Sequence, residues 1–151
     1  MVAKHYWDSV CFLAWLQNEA GRIDACRDTL DRASAGEIVI VTSALTVAEV
    51  LWTKAGPRLT EEKAGLLNGF FRRSYIKVVN LDRAVAQKAQ KHVWNDGIRP
   101  KDSIHLATAL HLQCDVLETY DDGLLTKNGQ FDALTIGRPQ CKAQGSLDLR
   151  S

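Results

Sequence analysis

Residues 5–16 read HYWDSVCFLAWL, and one carboxylate, Asp8, interrupts this largely apolar stretch. The residues up to Trp7 are typical of the end of a β-strand, and Ser9 is placed to cap a helix that continues to Leu16. Asp8 therefore lies at a strand-to-helix junction, where a turn residue or a helix cap is the ordinary explanation. A buried charge is costly unless it is paired, so a buried junction would require a partner from the rest of the chain.

The composition is that of one globular domain. The chain has 151 residues, of which 46% are hydrophobic and 25% charged. We expect neither a membrane span, since no apolar run approaches about 20 residues, nor a signal peptide, since no small-residue cleavage site follows the first apolar run. A net charge of +1 argues against a bulk electrostatic grip on nucleic acid but leaves local basic patches possible. Four scattered cysteines are expected to be free thiols in a reducing cytoplasm.

Strand-like and helical segments alternate along the chain. The β-branched run EIVIVTS, residues 37–43, leads into a helix that Ser43 caps and that Gly56 and Pro57 end. Further strands are predicted over 2–7, 75–81, 115–121 and 132–137, and further helices over 23–35, 60–71, 83–94, 101–113 and 122–127, with Thr60 and Asp82 as caps. This alternation predicts a three-layer α/β/α fold with a mainly parallel central sheet. We assign residues 1–137 to one domain and 138–151 to a polar C-terminal tail.

Three further acids lack a simple explanation. Glu49 lies in a helix that is apolar nearly all round, so it needs a cation unless it reaches solvent from the helix end. Asp102 opens an apolar helix, where it is either a cap or a catalytic residue. Asp121 follows a strand in phase with Thr119, whose hydroxyl is expected to hold its carboxylate, and Asp122 is a competing turn residue.

The four acids share a position in the predicted fold. Asp8 and Asp121 follow strands, and Glu49 and Asp102 lie on helices that can cover the strand ends, where parallel sheets collect their ligands. Carboxylates without clustered cysteines or histidines favour a hard cation, Mg²⁺ or Mn²⁺. Because Mg²⁺ also accepts phosphate oxygens as ligands, the pattern predicts cleavage of phosphodiester bonds.

Four segments carry a family resemblance: YWDSVCFLAWL (6–16), TSALTVAEVL (42–51), RPKDSIHLATAL (99–110) and DVLETYD (115–121). In this order they resemble the PIN-domain family, a metal-dependent ribonuclease fold known from the VapC-like toxins of toxin–antitoxin pairs. The resemblance covers nearly the whole chain to about residue 125. It implies a PIN-like domain that cleaves single-stranded or looped RNA, with a homodimer and an antitoxin protein as partners.

The resemblance also implies roles for individual residues. The catalytic residues and metal ligands would be Asp8, Glu49, Asp102 and Asp121, with Thr119 and Ser9 holding carboxylates in place. Arg99 and Lys101 directly precede Asp102 and are candidates to bind substrate phosphates. His105 is three residues beyond Asp102 and could meet a phosphate or a proton, although a histidine satisfied within the core is the alternative.

Several alternatives stay open. Arg72, Arg73 and Lys77 form a second basic group that could hold phosphates or simply face solvent. An aspartyl-phosphate phosphatase would want an acid at position 10, which is Val10, and a receiver domain would want an acidic pair beside the first strand. A non-catalytic RNA- or protein-binding member of the same fold would be expected to lack one of the acids. A free-standing RNA-processing nuclease competes with the toxin. Residues that could form partner interfaces are Trp15, Leu16, Leu66, Phe70 and Phe71.

Overall fold

The computed structural model describes residues 2–52 and 57–142, in which strands and helices alternate. The strands are β1 (Ala3–Trp7), β2 (Ile38–Ser43), β3 (Ile76–Val79), β4 (Val116–Glu118) and β5 (Thr135–Gly137). The helices are α1 (Ser9–Leu16), α2 (Ile23–Ser34), α3 (Ala44–Glu49), α4 (Glu61–Phe70), α5 (Arg83–Asp96), α6 (Pro100–His111) and α7 (Asp122–Leu125).

The five strands form one sheet in the order β3-β2-β1-β4-β5, and every neighbouring pair is parallel. The chain winds outward from β1 to β3 on one side and then returns past β1 to form β4 and β5 on the other. The direction of winding reverses between β1 and β4, and open α/β sheets bind their ligands at the carboxyl ends of the strands at such a point. The predicted α/β fold with a parallel central sheet is confirmed.

Helices cover both faces of the sheet. Successive residues of a strand point to opposite faces, so neighbouring strand residues belong to different core clusters. On one face Trp7 packs in a cluster with Phe12 of α1 and Leu30 of α2. On the other face Tyr6 packs in a second cluster with Leu106 of α6. A sheet covered on both sides needs apolar residues at consecutive strand positions, which explains the apolar β-branched run of β2.

The helix caps follow the sequence prediction with one exception. Ser43, Thr60 and Asp82 each accept a hydrogen bond from a backbone N–H in the first turn of the following helix. The cap of α1 is Asp8, whose Oδ1 accepts from the backbone N–H of Cys11 at 3.3 Å, and Ser9 is the first helical residue. The prediction of Ser9 as the cap is wrong because Asp8 has the extended backbone that a cap requires.

Helix α3 is shorter and less buried than predicted. It ends at Glu49, and the predicted end at Gly56 lies outside the described residues. Val47 and Trp52 are 40% and 69% exposed, so the apolar pattern does not indicate burial on all sides. Only one face, with Thr46 and Val50, packs into the protein.

Most of the apolar residues predicted as possible partner interfaces pack at the edge of the hydrophobic core. Trp15 and Phe70 meet edge-on with ring centroids 4.2 Å apart, and both are half-buried against the cluster around Trp7. Leu16 and Phe71 pack against the same cluster, whereas Leu66 is 49% exposed. Most of this set therefore contributes to packing within the domain.

The first residues of the predicted tail contact α2. The backbone N–H of Lys142 donates to Asp28 at 3.0 Å, and Arg32 donates to the carbonyl of Gln140 at 3.4 Å. Residues 143–151 lie outside the described part of the chain, so the boundary at 137 stays a prediction. Within the described ranges no helix is long and apolar enough to cross a membrane, and Cys11, Cys26, Cys114 and Cys141 are free thiols.

Shortening Leu117, a fully buried residue of β4, should weaken the fold. We expect Leu117→Ala to lower the free energy of unfolding by about 2–5 kcal/mol, because the lost contacts leave a cavity. The same change at the half-exposed Leu66 should cost less than about 1 kcal/mol. Urea denaturation followed by circular dichroism measures both, and equal losses would contradict the described core.

Candidate functional site

Asp8 lies at the carboxyl end of β1 and is only 4% exposed. Thr119, directly after β4, donates its hydroxyl hydrogen to Asp8 Oδ2 at 2.6 Å, and the N–H of Cys11 reaches Oδ1. Thr119 was predicted to hold the carboxylate of Asp121, but it holds that of Asp8, and its own oxygen accepts from the backbone N–H of Asp121 at 3.0 Å. Thr119 therefore ties the ends of two neighbouring strands together at a buried acid.

The surroundings of Asp8 do not fully compensate its charge. Burial raises the pKa of Asp8, while attraction to His105 and hydrogen bonds from Thr119 and Cys11 oppose that effect. The net direction is upward from the ordinary carboxyl value, so the ionised form is disfavoured at this place. An additional cation beside Asp8 would remove that penalty.

Arg99 bridges two of the other acids. Its Nη2 donates to Asp121 Oδ1 at 2.9 Å and its Nε donates to Asp102 Oδ2 at 3.3 Å. Asp121 also caps α7, because its Oδ2 accepts from the backbone N–H of Leu124 at 3.0 Å. The neighbouring Asp122 is 91% exposed, so Asp121 is the acid that faces the site.

Asp102 is the second acid whose titration is displaced. Burial is the main cause of its raised pKa and the nearby charge of Asp121 adds to it, while Arg99 and His105 act in the opposite direction. Burial and the repulsion from Asp121 together thus outweigh the attraction to the bridging guanidinium.

A buried histidine is hydrogen-bonded to the carboxylate of Glu49. His105 Nε2 lies 2.8 Å from Glu49 Oε1, and His105 Nδ1 lies 2.6 Å from the hydroxyl of Tyr6. His105 is 3% exposed and both of its ring nitrogens are engaged, so in this structure it does not face a substrate. The structure therefore favours the alternative prediction for His105, a histidine satisfied within the core, over contact with the substrate. Its partner Glu49 is nevertheless a candidate metal ligand.

The remaining predicted residues lie at different distances from the acids. Lys101 is exposed in the first turn of α6, beside Asp102. Ser9 is half-buried, and within the described ranges its hydroxyl makes no hydrogen bond to a carboxylate. Arg72 and Arg73 precede the amino end of β3, which is the opposite edge of the sheet from the acids. That basic group, which includes Lys77 on β3, is not part of the site.

Sequence reasoning missed two buried polar residues. Glu118 accepts hydrogen bonds from His5 at 2.8 Å and from the indole of Trp7 at 3.2 Å, and it pairs with Trp7 in the sheet on the face away from Tyr6. It supports the core rather than the site. Tyr6 was detectable, because strand alternation places it on the same side as Asp8.

The donor set fits a hard divalent cation in chemical type, because the four acids supply only carboxylate oxygens. Arg99, which bridges two of them, shows that this place in the fold attracts positive charge. Within residues 2–52 and 57–142, however, no three acidic, cysteine or histidine side chains are arranged to hold one ion. The four acids lie near the carboxyl ends of β1, β2 and β4, a region that we call the crevice, without converging on one point.

The raised pKa of Asp102 predicts a pH-dependent stability. Between the ordinary value of 3.8 and the raised pKa, the folded state binds more protons than the unfolded chain, so stability falls as pH rises through this range. In metal-free protein, Asp102→Asn should therefore have the higher free energy of unfolding near pH 7, with the advantage shrinking towards roughly pH 4. Chemical denaturation across this range measures it, with the exposed Asp31→Asn as control. A destabilised Asp102→Asn at every pH would contradict the described electrostatics.

Two solved structures share the fold at low sequence identity. VapC20 of Mycobacterium tuberculosis, described as a sarcin-ricin loop cleaving toxin, is 15% identical with a TM-score of 0.63, over 78% of this chain and 90% of that one. VapBC2 from Rickettsia felis, bound to a DNA fragment from its promoter, is 13% identical with a TM-score of 0.65, over 91% of this chain and 99% of that one. No curated protein matches the sequence. The family model described as PIN domain matches residues 6–129, and the chain therefore belongs to the PIN-domain family.

Proposed function

We propose that this protein is a divalent-metal-dependent ribonuclease. The observation that carries the proposal is the position of four acids and Thr119 around the crevice where the winding of the sheet reverses. Two of these acids, Asp8 and Asp102, have raised pKa values there, which is a common property of residues that hold a cation or take part in catalysis. Membership of the PIN-domain family supports the same chemistry.

Asp8, Glu49, Asp102 and Asp121 would hold Mg²⁺ or Mn²⁺. Such an ion supplies a polarised water and a counter-charge for the phosphoryl oxygens. Thr119 keeps the carboxylate of Asp8 in one orientation through its 2.6 Å hydrogen bond. The carboxylate of Asp121 accepts a hydrogen bond from the first turn of α7, which restricts the movement of its side chain.

Arg99 and Lys101 would bind the phosphates of the RNA. The side chain of Arg99 is 75% exposed, although one edge of its guanidinium contacts Asp102 and Asp121. A divalent cation on these acids would compensate their charge in its place and release the guanidinium. Its planar set of N–H donors matches a phosphate in geometry and charge.

The toxin of a type II toxin–antitoxin pair is the form of this function that we favour, because both similar structures come from VapC or VapBC proteins. This form includes a homodimer, an antitoxin protein as partner and a cytoplasmic location, where free thiols persist. A free-standing RNA-processing nuclease is the alternative. A short neighbouring gene whose product co-purifies with this chain and suppresses its activity would identify the toxin, and light scattering after size exclusion would test the dimer.

Asp121 and Asp122 offer a matched pair for testing the nuclease. With Mg²⁺ or Mn²⁺ and a mixed single-stranded RNA, wild-type protein should cleave and EDTA should stop it. Asp121→Asn should lose at least about 100-fold in rate, because a ligand of the ion that polarises the attacking water is lost. Asp122→Asn should cleave at the wild-type rate, because its side chain is exposed to solvent.

Asp8→Asn should lose cleavage like Asp121→Asn while keeping its fold in circular dichroism. Full metal-dependent activity in either variant would show that the site is assigned wrongly. Absence of cleavage by folded wild-type protein with every metal and with a range of structured RNAs would favour the non-catalytic binding module.

Arg99→Gln should separate the metal from the substrate. Without the guanidinium, Mn²⁺ no longer competes with a positive charge for the oxygens of Asp102 and Asp121, so its affinity measured by calorimetry should increase. The KM for RNA should also increase, because a phosphate contact is lost. Unchanged Mn²⁺ affinity and unchanged KM would refute both roles, and exposed Arg83→Gln on α5 is the control.

A further inference from the structure

A chain of buried polar groups leads to Glu49 from the core. His105 Nε2 is 2.8 Å from Glu49 Oε1, and the other ring nitrogen is 2.6 Å from the hydroxyl of Tyr6. The rings of Tyr6 and His105 also meet edge-on, with centroids 5.7 Å apart. Tyr6 is fully buried and His105 nearly so, whereas Glu49 keeps 17% of its side chain exposed. The chain therefore runs from the sheet to the wall of the crevice.

The partners settle the direction of the hydrogen bonds. An ionised carboxylate only accepts, so His105 Nε2 carries the hydrogen that Glu49 receives. A neutral imidazole carries a single N–H, so with Nε2 as the donor its Nδ1 is an acceptor. The hydroxyl of Tyr6, 2.6 Å from Nδ1, therefore donates its hydrogen to that nitrogen.

We infer that Tyr6 and His105 are positioning residues that fix the orientation of Glu49 as a metal ligand. The inference rests on the proposed function, since it concerns the same ion. His105 occupies Oε1 of Glu49, whereas no hydrogen bond from the described residues reaches Oε2, which is the oxygen that would bind the ion. Tyr6 donates its hydroxyl hydrogen to Nδ1, which must then be unprotonated. Tyr6 thereby fixes the histidine tautomer whose Nε2–H donates to Glu49. Hydrogen-bond partners of metal ligands orient those ligands in this way.

Affinity for Mn²⁺ without RNA tests the positioning. Tyr6→Phe keeps the ring that packs in the core and removes only the hydroxyl, so it should fold and bind Mn²⁺ about tenfold more weakly. His105→Leu, which removes the donor to Glu49, should lose more, whereas His105→Gln places an amide N–H near the position of Nε2 and should restore most of the affinity.

The control for these variants is Thr108→Val on the same helix. Thr108 is buried and its hydroxyl donates to the carbonyl of Ile104 at 2.7 Å, so the change disturbs the core without touching the site. It should leave Mn²⁺ affinity unchanged. Wild-type affinity in Tyr6→Phe, or equal losses in His105→Gln and His105→Leu, would overturn the inference.

A double-mutant comparison tests whether Tyr6 acts through Glu49. In a Glu49→Gln background the effect of Tyr6→Phe on Mn²⁺ affinity should disappear, because the carboxylate that it positions is gone. A tenfold effect that persists in this background would show that Tyr6 acts by another route.

Nitrogen NMR of the His105 ring separates this inference from the proposed function. Metal-free wild-type protein should show Nε2 protonated and Nδ1 unprotonated, and Tyr6→Phe should populate both tautomers. An unchanged tautomer in Tyr6→Phe would overturn the relay. If wild-type protein neither binds Mn²⁺ nor cleaves RNA, the proposed function is wrong, and the tautomer alone then decides whether Tyr6 orients His105.

Discussion

The structure depends on one electrostatic constraint, the gathering of like charges at the carboxyl ends of β1 and β4. Asp8 and Asp102 have raised pKa values because burial removes water from their carboxylates, and for Asp102 the neighbouring charge of Asp121 adds to this. In the described residues Arg99 pairs with Asp102 and Asp121, and His105 donates a hydrogen bond to Glu49. The crevice is therefore arranged for positive charge before any divalent ion enters.

The same acids also build the secondary structure around them. Asp8 caps α1 and Asp121 caps α7, so each carboxylate receives a backbone hydrogen bond that fixes its side chain. Thr119 connects the two places, since it donates to Asp8 and accepts from the backbone of Asp121. Substituting an acid here alters both a candidate ligand and a helix end, which is why the folded state of each variant has to be established separately from its activity.

A stability cost accompanies this arrangement. A carboxylate whose pKa is raised by folding destabilises the native state at neutral pH, and proteins retain such residues where function requires them. The polar chain from Tyr6 through His105 to Glu49 is fully hydrogen-bonded, and among the described residues no buried side-chain nitrogen or oxygen lacks a hydrogen-bond partner. The hydrogen bonds of the core are satisfied, and the destabilising charge belongs to the acids Asp8 and Asp102.

The sequence by itself determined the α/β fold, the order of the strands along the chain and most helix caps, because periodicity and capping are local properties, and it predicted four acids as the candidate site. Only the tertiary structure decided that Thr119 serves Asp8, that His105 faces Glu49 and that Arg99 bridges Asp102 and Asp121. The contacts of Thr119 with Asp8, of His105 with Glu49 and of Arg99 with Asp121 join residues far apart in sequence, so their distances follow from how the parallel strands and α6 pack. The exposure of Trp52 beside α3 was missed for the same reason, since an apolar pattern does not show which face finds a neighbour.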